Sequence, residues 1–145
     1  MPKEVRVAIA GVGNCASALV QGVEYYKNAK ATTKVPGLMH VNFGGYHIRD
    51  VRFVAAFDVN KNKIGKDLAD AIWAEPNVCA KFAKVPKKGV KVLPGPILDG
   101  VAPHMKEPFH TYDEKKMKPT EVVEALQEAE ADVLVNFIPV GSNKA

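Results

Sequence analysis

The chain has 145 residues, 47% of them hydrophobic and 25% charged, with a formal net charge of +4. That length and balance fit one globular domain with a real core, and exclude a disordered or fibrous chain. No apolar run approaches the roughly 18 residues of a membrane span, no signal-peptide pattern opens the chain, and two cysteines (Cys15 and Cys79) make no disulfide framework. A reducing, cytoplasmic setting is therefore expected, with no membrane partner.

The first predicted strand is Val5 to Ala10, and it runs straight into Gly11-Val12-Gly13-Asn14-Cys15-Ala16. Strand, Gly-x-Gly-x-x-Ala and helix in that order open a dinucleotide-binding fold. Gly11 lets the chain turn off the strand, Gly13 leaves room for a pyrophosphate, and Ala16 keeps the helix close to the sheet. The helix N-terminus turns unpaired N–H groups and partial positive charge toward the phosphates. The plainer alternative is a tight strand-to-helix turn that binds nothing. The helix is predicted from Asn14, as N-cap, to about Lys27, with Leu19, Val20, Val23 and Tyr26 on its buried face. Cys15, at a helix N-terminus, is a candidate for a lowered thiol pKa, although a small packing residue is the simpler reading.

Residues 28–50 contain Pro36, Gly37, Gly44 and Gly45 without a period, and read as a surface-lying insertion. Val51 to Phe57 is the second long strand, ending in Asp58. An acid there accepts from both ribose hydroxyls and repels the 2′-phosphate of NADP. The insertion lengthens the interval beyond the usual figure of about 20 residues. The alternative role for Asp58 is to cap the following helix. That helix is predicted over Lys61 to Trp73, with Ile64, Leu68, Ala71 and Ile72 on one face and Asp67 as a weaker, solvated candidate.

Lys81, Lys84, Lys87, Lys88 and Lys91 read as a solvated face. No aromatic residues interleave to stack bases, so no nucleic-acid partner is expected. Val90 to Leu93 is a short strand, followed by a turn-rich loop whose Asp99 either faces the site or closes a turn. Ala102 to Lys118, with Glu114, Lys115 and Lys116 in a row, reads as an exposed connection. A Thr120-capped helix follows, with Val122, Val123, Leu126 and Ala129 inward, and then a strand from Asp132 to Ile138. Gly141-Ser142 follows that strand, as a ligand contact or an ordinary polar turn. His40, His47, His104 and His110 lack metal-ligand spacing, so no metal is expected. No Ser-His-Asp or Cys-His arrangement stands out.

The segment Val7–Ser17 followed by Leu19–Tyr26 resembles the start of prokaryotic-type myo-inositol-1-phosphate synthases. So do Val35-Pro36-Gly37-Leu38-Met39-His40, Phe53–Val59, Gly95-Pro96, Leu98-Asp99-Gly100, Asp132–Val135 and Pro139–Ser142. The resemblance spans nearly the whole chain and accounts for the insertion. It departs from the family at Ile97, where Thr is common, and at Asn136-Phe137.

This resemblance implies a Rossmann-type α/β domain with a mostly parallel sheet, corresponding to the N-terminal portion of a longer enzyme. It implies NAD-dependent conversion of D-glucose 6-phosphate to 1L-myo-inositol 1-phosphate by oxidation, aldol cyclisation and reduction, in a cytoplasmic homo-oligomer, typically a tetramer. Gly11, Gly13, Asn14, Cys15 and Ala16 would lie along the pyrophosphate turn, Asp58 at the adenosine ribose, and Gly141 and Ser142 at the nicotinamide half. The family's catalytic lysines lie beyond Ala145, so no catalytic residue is assigned here and the chain alone is expected to be inactive. Another NAD-linked dehydrogenase and a non-catalytic nucleotide-binding module remain alternatives. Net NADH accumulation would mark the first, and binding without turnover the second.

Overall fold

A computed structural model describes residues 3–32, 34–107, 110–112 and 117–145. Four strands form one parallel sheet: β1 (Val5–Ala10), β4 (Val51–Asp58), β5 (Val92–Pro94) and β6 (Val133–Asn136), in the order β5-β4-β1-β6. This is the order of the first half of a doubly wound sheet, with β1 central and the crossovers on both faces. The remaining strands, β2 (Asn42–Phe43) and β3 (Tyr46–His47), make a small antiparallel hairpin within segment 28–50.

The register explains how β4 serves both faces. Between Val7 and Ala8 the pairing slips by one residue: Phe53 lies opposite Val7, and Ala55 opposite Ala8. The extra residue is a bulge, and it reverses which side chains point to which side. Phe53 and Ala56 therefore join Val7 and Ile9 in one core, beneath helix α1 (Asn14–Tyr26) and helix α2 (Leu68–Ala71). Ala55 and Phe57 join Ala8 in a second, smaller core under helix α3 (Pro119–Glu128). Ala16, Val20 and Val23 of α1 are buried at one-turn spacing, as an amphipathic helix on a sheet requires, and Val12 in the turn before it joins them.

Several local expectations are corrected. The residue capping α1 is Gly13, not Asn14, and it makes no side-chain cap bond; the Asn14 side chain is spent elsewhere. The predicted helix over 61–73 shrinks to Leu68–Ala71. Gly65 sits at φ +82, a left-handed conformation that ends a helix. The backbone of 65–68 bonds instead to the run leading into β5: Gly65 N–H to Val92 O, Val92 N–H to Lys66 O, and Leu68 N–H to Val90 O. Asp67, read as solvated, caps α2 by accepting from Ala69 N–H. The start of α3 is capped by Lys118 rather than Thr120, with Glu121 accepting from Lys118 N–H at 2.6 Å. Val123 is exposed on α3, while Ala125 takes the inward place beside Val122, Leu126 and Ala129. The charged run Glu114-Lys115-Lys116 lies outside the described residues.

Candidate functional site

At the carboxyl ends of the parallel strands lies a cleft of about 640 Å³. It is lined by the glycine turn after β1, the end of β4, the loop after β5 and the chain following β6. Crevices outside strand carboxyl ends, where crossovers leave in opposite directions, are the usual ligand positions in open α/β sheets.

The two glycines of the turn are there for different reasons. Gly11 has φ +91, and a Cβ built on it would stand 3.0 Å from the Phe137 carbonyl carbon and oxygen. Both its conformation and its contact with the chain after β6 therefore demand glycine. Gly13 has φ −98, which any residue adopts, and among the described residues a Cβ on it would meet no atom within 4 Å. Nothing among the described residues requires glycine there. A Cβ would occupy the space of the cleft that Gly13 lines, directly at the N-terminus of α1, so the cradle fits a group approaching the backbone closely.

Asp58 closes the other side of the turn. It is only 8% exposed, and both carboxylate oxygens accept backbone bonds, Oδ2 from Val12 N–H and Oδ1 from Asn60 N–H, each at 2.7 Å. Each carboxylate oxygen has a further lone pair, so the group retains acceptor capacity toward the cleft it lines. Beside it lies Lys63, 1% exposed, whose Nζ donates to the Val12 carbonyl. Burial pulls the lysine below its ordinary pKa, and the Asp58 carboxylate, acting in the opposite direction, offsets only part of that effect. Lys63 closes the polar run Asn60-Lys61-Asn62-Lys63, which shows no period, so sequence reading had no signal by which to find it.

A third wall was also missed. Pro76, Asn77 and Val78 line the cleft, on an irregular strap running across α1. The strap is pegged twice. Asn14 Oδ1 accepts from Val78 N–H at 2.9 Å. Gln21, wholly buried, accepts from the N–H groups of Phe82 and Ala83 and donates to the Ala80 carbonyl.

The structure thus brings Gly11, Gly13, Asn14 and Asp58 to one cleft. Ala16 is buried in the core under α1, where it packs rather than lines the cleft. Cys15 is exposed on the first turn of the same helix, outside the lining residues. Gly141 and Ser142 also fall outside them; Ser142 N–H closes a turn onto the Pro139 carbonyl, while Ile138, Pro139 and Lys144 do line the cleft. Asp99 is a turn residue. Its carboxylate accepts from the backbone N–H groups of Asn143, Lys144 and Ala145, fastening the loop after β5 to the chain beyond β6. Of the histidines, His47 is structural, with Nδ1 accepting from Arg49 N–H and Nε2 meeting the Ala29 carbonyl at 2.8 Å. Among the described residues no group of three or more His, Cys, Asp or Glu is placed to hold a metal ion, and no helix is long and apolar enough to cross a membrane.

No protein-family model matches the chain. It is 57% identical over 141 residues to the inositol-3-phosphate synthase of Corynebacterium glutamicum, covering 97% of this chain and 38% of that protein. The inositol-3-phosphate synthase of Mycolicibacterium smegmatis is 56% identical, over 98% of this chain and 38% of its own length. Among solved structures, that of Ari2 superposes with a TM-score of 0.74 at 34% identity, over 94% of this chain and 38% of that one. A myo-inositol-1-phosphate synthase-related protein from Thermotoga maritima gives 0.65 at 26% identity, over 93% of this chain and 34% of its own. The chain spans about two-fifths of the length of the curated relatives, and over nearly its whole own length it matches inositol-3-phosphate synthases at 56–57% identity.

Proposed function

We propose that this chain carries the cofactor site of an NAD-dependent inositol-3-phosphate synthase, which converts D-glucose 6-phosphate to 1L-myo-inositol 1-phosphate. The observation that carries the reading is Gly13: a glycine that neither backbone angle nor protein neighbour requires, facing the same cleft as the strand-end carboxylate Asp58. Space at the glycine turn and a carboxylate acceptor beside it are the two recognition elements of a dinucleotide half-site. The reading also accords with the names of the relatives.

The residues divide the work as follows. Gly13 and the first-turn amides at Asn14 and Cys15 present N–H donors and the positive end of α1 to the diphosphate. Asp58 accepts from the ribose hydroxyls through its remaining lone pairs, and its charge repels a 2′-phosphate, so NAD is favoured over NADP. Ala16 sets the closeness of α1 to the sheet, and the nicotinamide half would extend along Ile138 and Pro139, which line the cleft just before the Gly141-Ser142 turn. NAD⁺, when bound, supplies a hydride acceptor that later returns the hydride, so the overall conversion is an isomerisation. No lysine of this chain is assigned to the sugar phosphate, and the chain alone is inactive. The whole enzyme works as a cytoplasmic homo-oligomer.

The test is calorimetric titration of the chain with NAD⁺ and NADP⁺, repeated for Asp58→Ala. Saturable NAD⁺ binding that weakens in the variant, with poor NADP⁺ binding, supports the assignment. Equal affinity for both dinucleotides, or an unaffected variant, removes Asp58 from the site. Formation of inositol phosphate from glucose 6-phosphate by this chain would overturn its inactivity.

A further inference from the structure

We propose that Lys63 is a positioning residue for the phosphate-binding turn: with Asp58 it grips Val12 at both its N–H and its carbonyl, and thereby aims the Gly13 N–H into the cleft. The proposal rests on the reading of the cleft as a dinucleotide site.

The geometry is specific. Asp58 Oδ2 holds Val12 N–H at 2.7 Å, and Lys63 Nζ donates to Val12 O. Val12 itself is fully buried, so both of its backbone polar groups are satisfied internally by a pair of opposite charges. A trans peptide is planar, and its carbonyl and N–H point in opposite directions. Drawing the Val12 carbonyl toward the buried ammonium turns the N–H of the same peptide unit, that of Gly13, the other way. Among the described residues that N–H has no hydrogen-bond partner, and Gly13 lines the cleft, so the donor is free for a group bound there. Gly13 O is committed to Ser17 N–H at 2.9 Å, so the following peptide is fixed by the helix and the preceding one by Lys63.

Without the ammonium, the Val12 carbonyl would be a buried acceptor without its partner, and rotation of the Val12–Gly13 peptide would relieve it. The rotation would swing the carbonyl toward the cleft and replace a donor with an acceptor where a phosphate is to sit. Lys63 thus keeps its donor on the turn, although burial disfavours its charged form and only the Asp58 carboxylate opposes that effect.

The experiment compares ADP and AMP binding to the chain and its Lys63→Met variant, which keeps an apolar stem of similar length. In the wild type ADP binds more tightly than AMP, because the added phosphate meets the Gly13 N–H. In Lys63→Met that preference collapses by about ten- to a hundredfold, the worth of a hydrogen bond to a charged group, while AMP affinity changes by no more than about twofold. A merely structural lysine would weaken both ligands alike and leave their ratio unchanged, which would overturn the proposal. A measurement free of the variant decides the case if Lys63→Met fails to fold. The Gly13 amide resonance of the wild type must shift on titration with ADP and much less with AMP; an unmoved Gly13 amide in an ADP-bound chain also overturns it. If the wild type binds none of ADP, AMP and NAD⁺, the dinucleotide reading itself falls, and this proposal with it.

Discussion

At the scale of single residues, the glycine turn makes a prediction that separates folding from binding. Gly11→Ala places a methyl group 3.0 Å from the Phe137 backbone at φ +91. It is expected to cost roughly 2 kcal/mol or more, a fall of about 5 °C or more in Tm by thermal unfolding. Gly13→Ala meets neither obstacle, since its φ is −98 and its Cβ would stand free. Its stability should change by less than about 0.5 kcal/mol, whereas calorimetry should show NAD⁺ affinity falling about tenfold or more. Equal stability losses in the two variants would show that Gly13, too, is structural. The sequence made this turn legible because strand, glycine spacing and helix all point the same way. Lys63 was illegible for the opposite reason. Its burial follows from the carbonyl of a residue far away in the chain, and Asn60-Lys61-Asn62-Lys63 shows only polar residues.

At the scale of elements, apolar runs disclosed the strands, since a doubly covered parallel strand such as Val51–Phe57 has little room for polar residues. Periodicity misled where two structures share a spacing. Ile64, Leu68, Ala71 and Ile72 suit a helical face, yet Gly65 and the bonds to Val90 and Val92 commit the first of these turns to the run before β5. The strap over α1 was illegible because it has no period at all and is held by side-chain pegs.

Those pegs are testable. Gln21→Leu removes the acceptor of the Phe82 and Ala83 N–H groups and leaves them unpaired, a loss of roughly 2–3 kcal/mol. Hydrogen exchange at these two amides should accelerate in the variant, and unchanged protection would refute the peg. Asp67 is a second peg, accepting from the N–H groups of Ala69, Lys88 and Gly89. Burial raises its pKa, but these donors and the Lys87 charge outweigh it and hold it below the ordinary value of 3.8. A carboxyl depressed in the folded state contributes stability above its unfolded pKa and loses it as the pH falls through the folded one. The stability gap between wild type and Asp67→Asn should therefore be full near neutrality and narrow below about pH 4. Thermal unfolding between pH 2.5 and 7 measures it, and a gap independent of pH would exclude this linkage.

At the scale of the whole molecule, the sheet ends unevenly. On one side β5 is short and tied to the chain between β4 and α2 through the Asp67–Lys91 bridge. On the other, β6 pairs with β1 alone among the described residues, and Val133 and Leu134 remain 45% and 47% exposed. Above it α3 has no fully buried residue and leaves Val123 exposed, so the second core is the thinner of the two. A parallel strand with an unpaired edge and apolar side chains on both faces offers backbone donors, acceptors and hydrophobic area together, which is the recipe for association through that edge. The cleft shares this margin, since Leu134 and Val122 line it together with Asp58 and the glycine turn. The edge and the candidate site therefore cannot be altered independently at Leu134, whereas Val133 lies outside the lining residues and can be changed alone. The chain is expected to self-associate as its concentration rises, with Val133→Lys shifting the mass from light scattering toward the monomer while NAD⁺ affinity stays within about twofold of wild type. A monodisperse monomer at high concentration would show that the edge is already protected. Association unaffected by Val133→Lys would place the contact elsewhere on the surface.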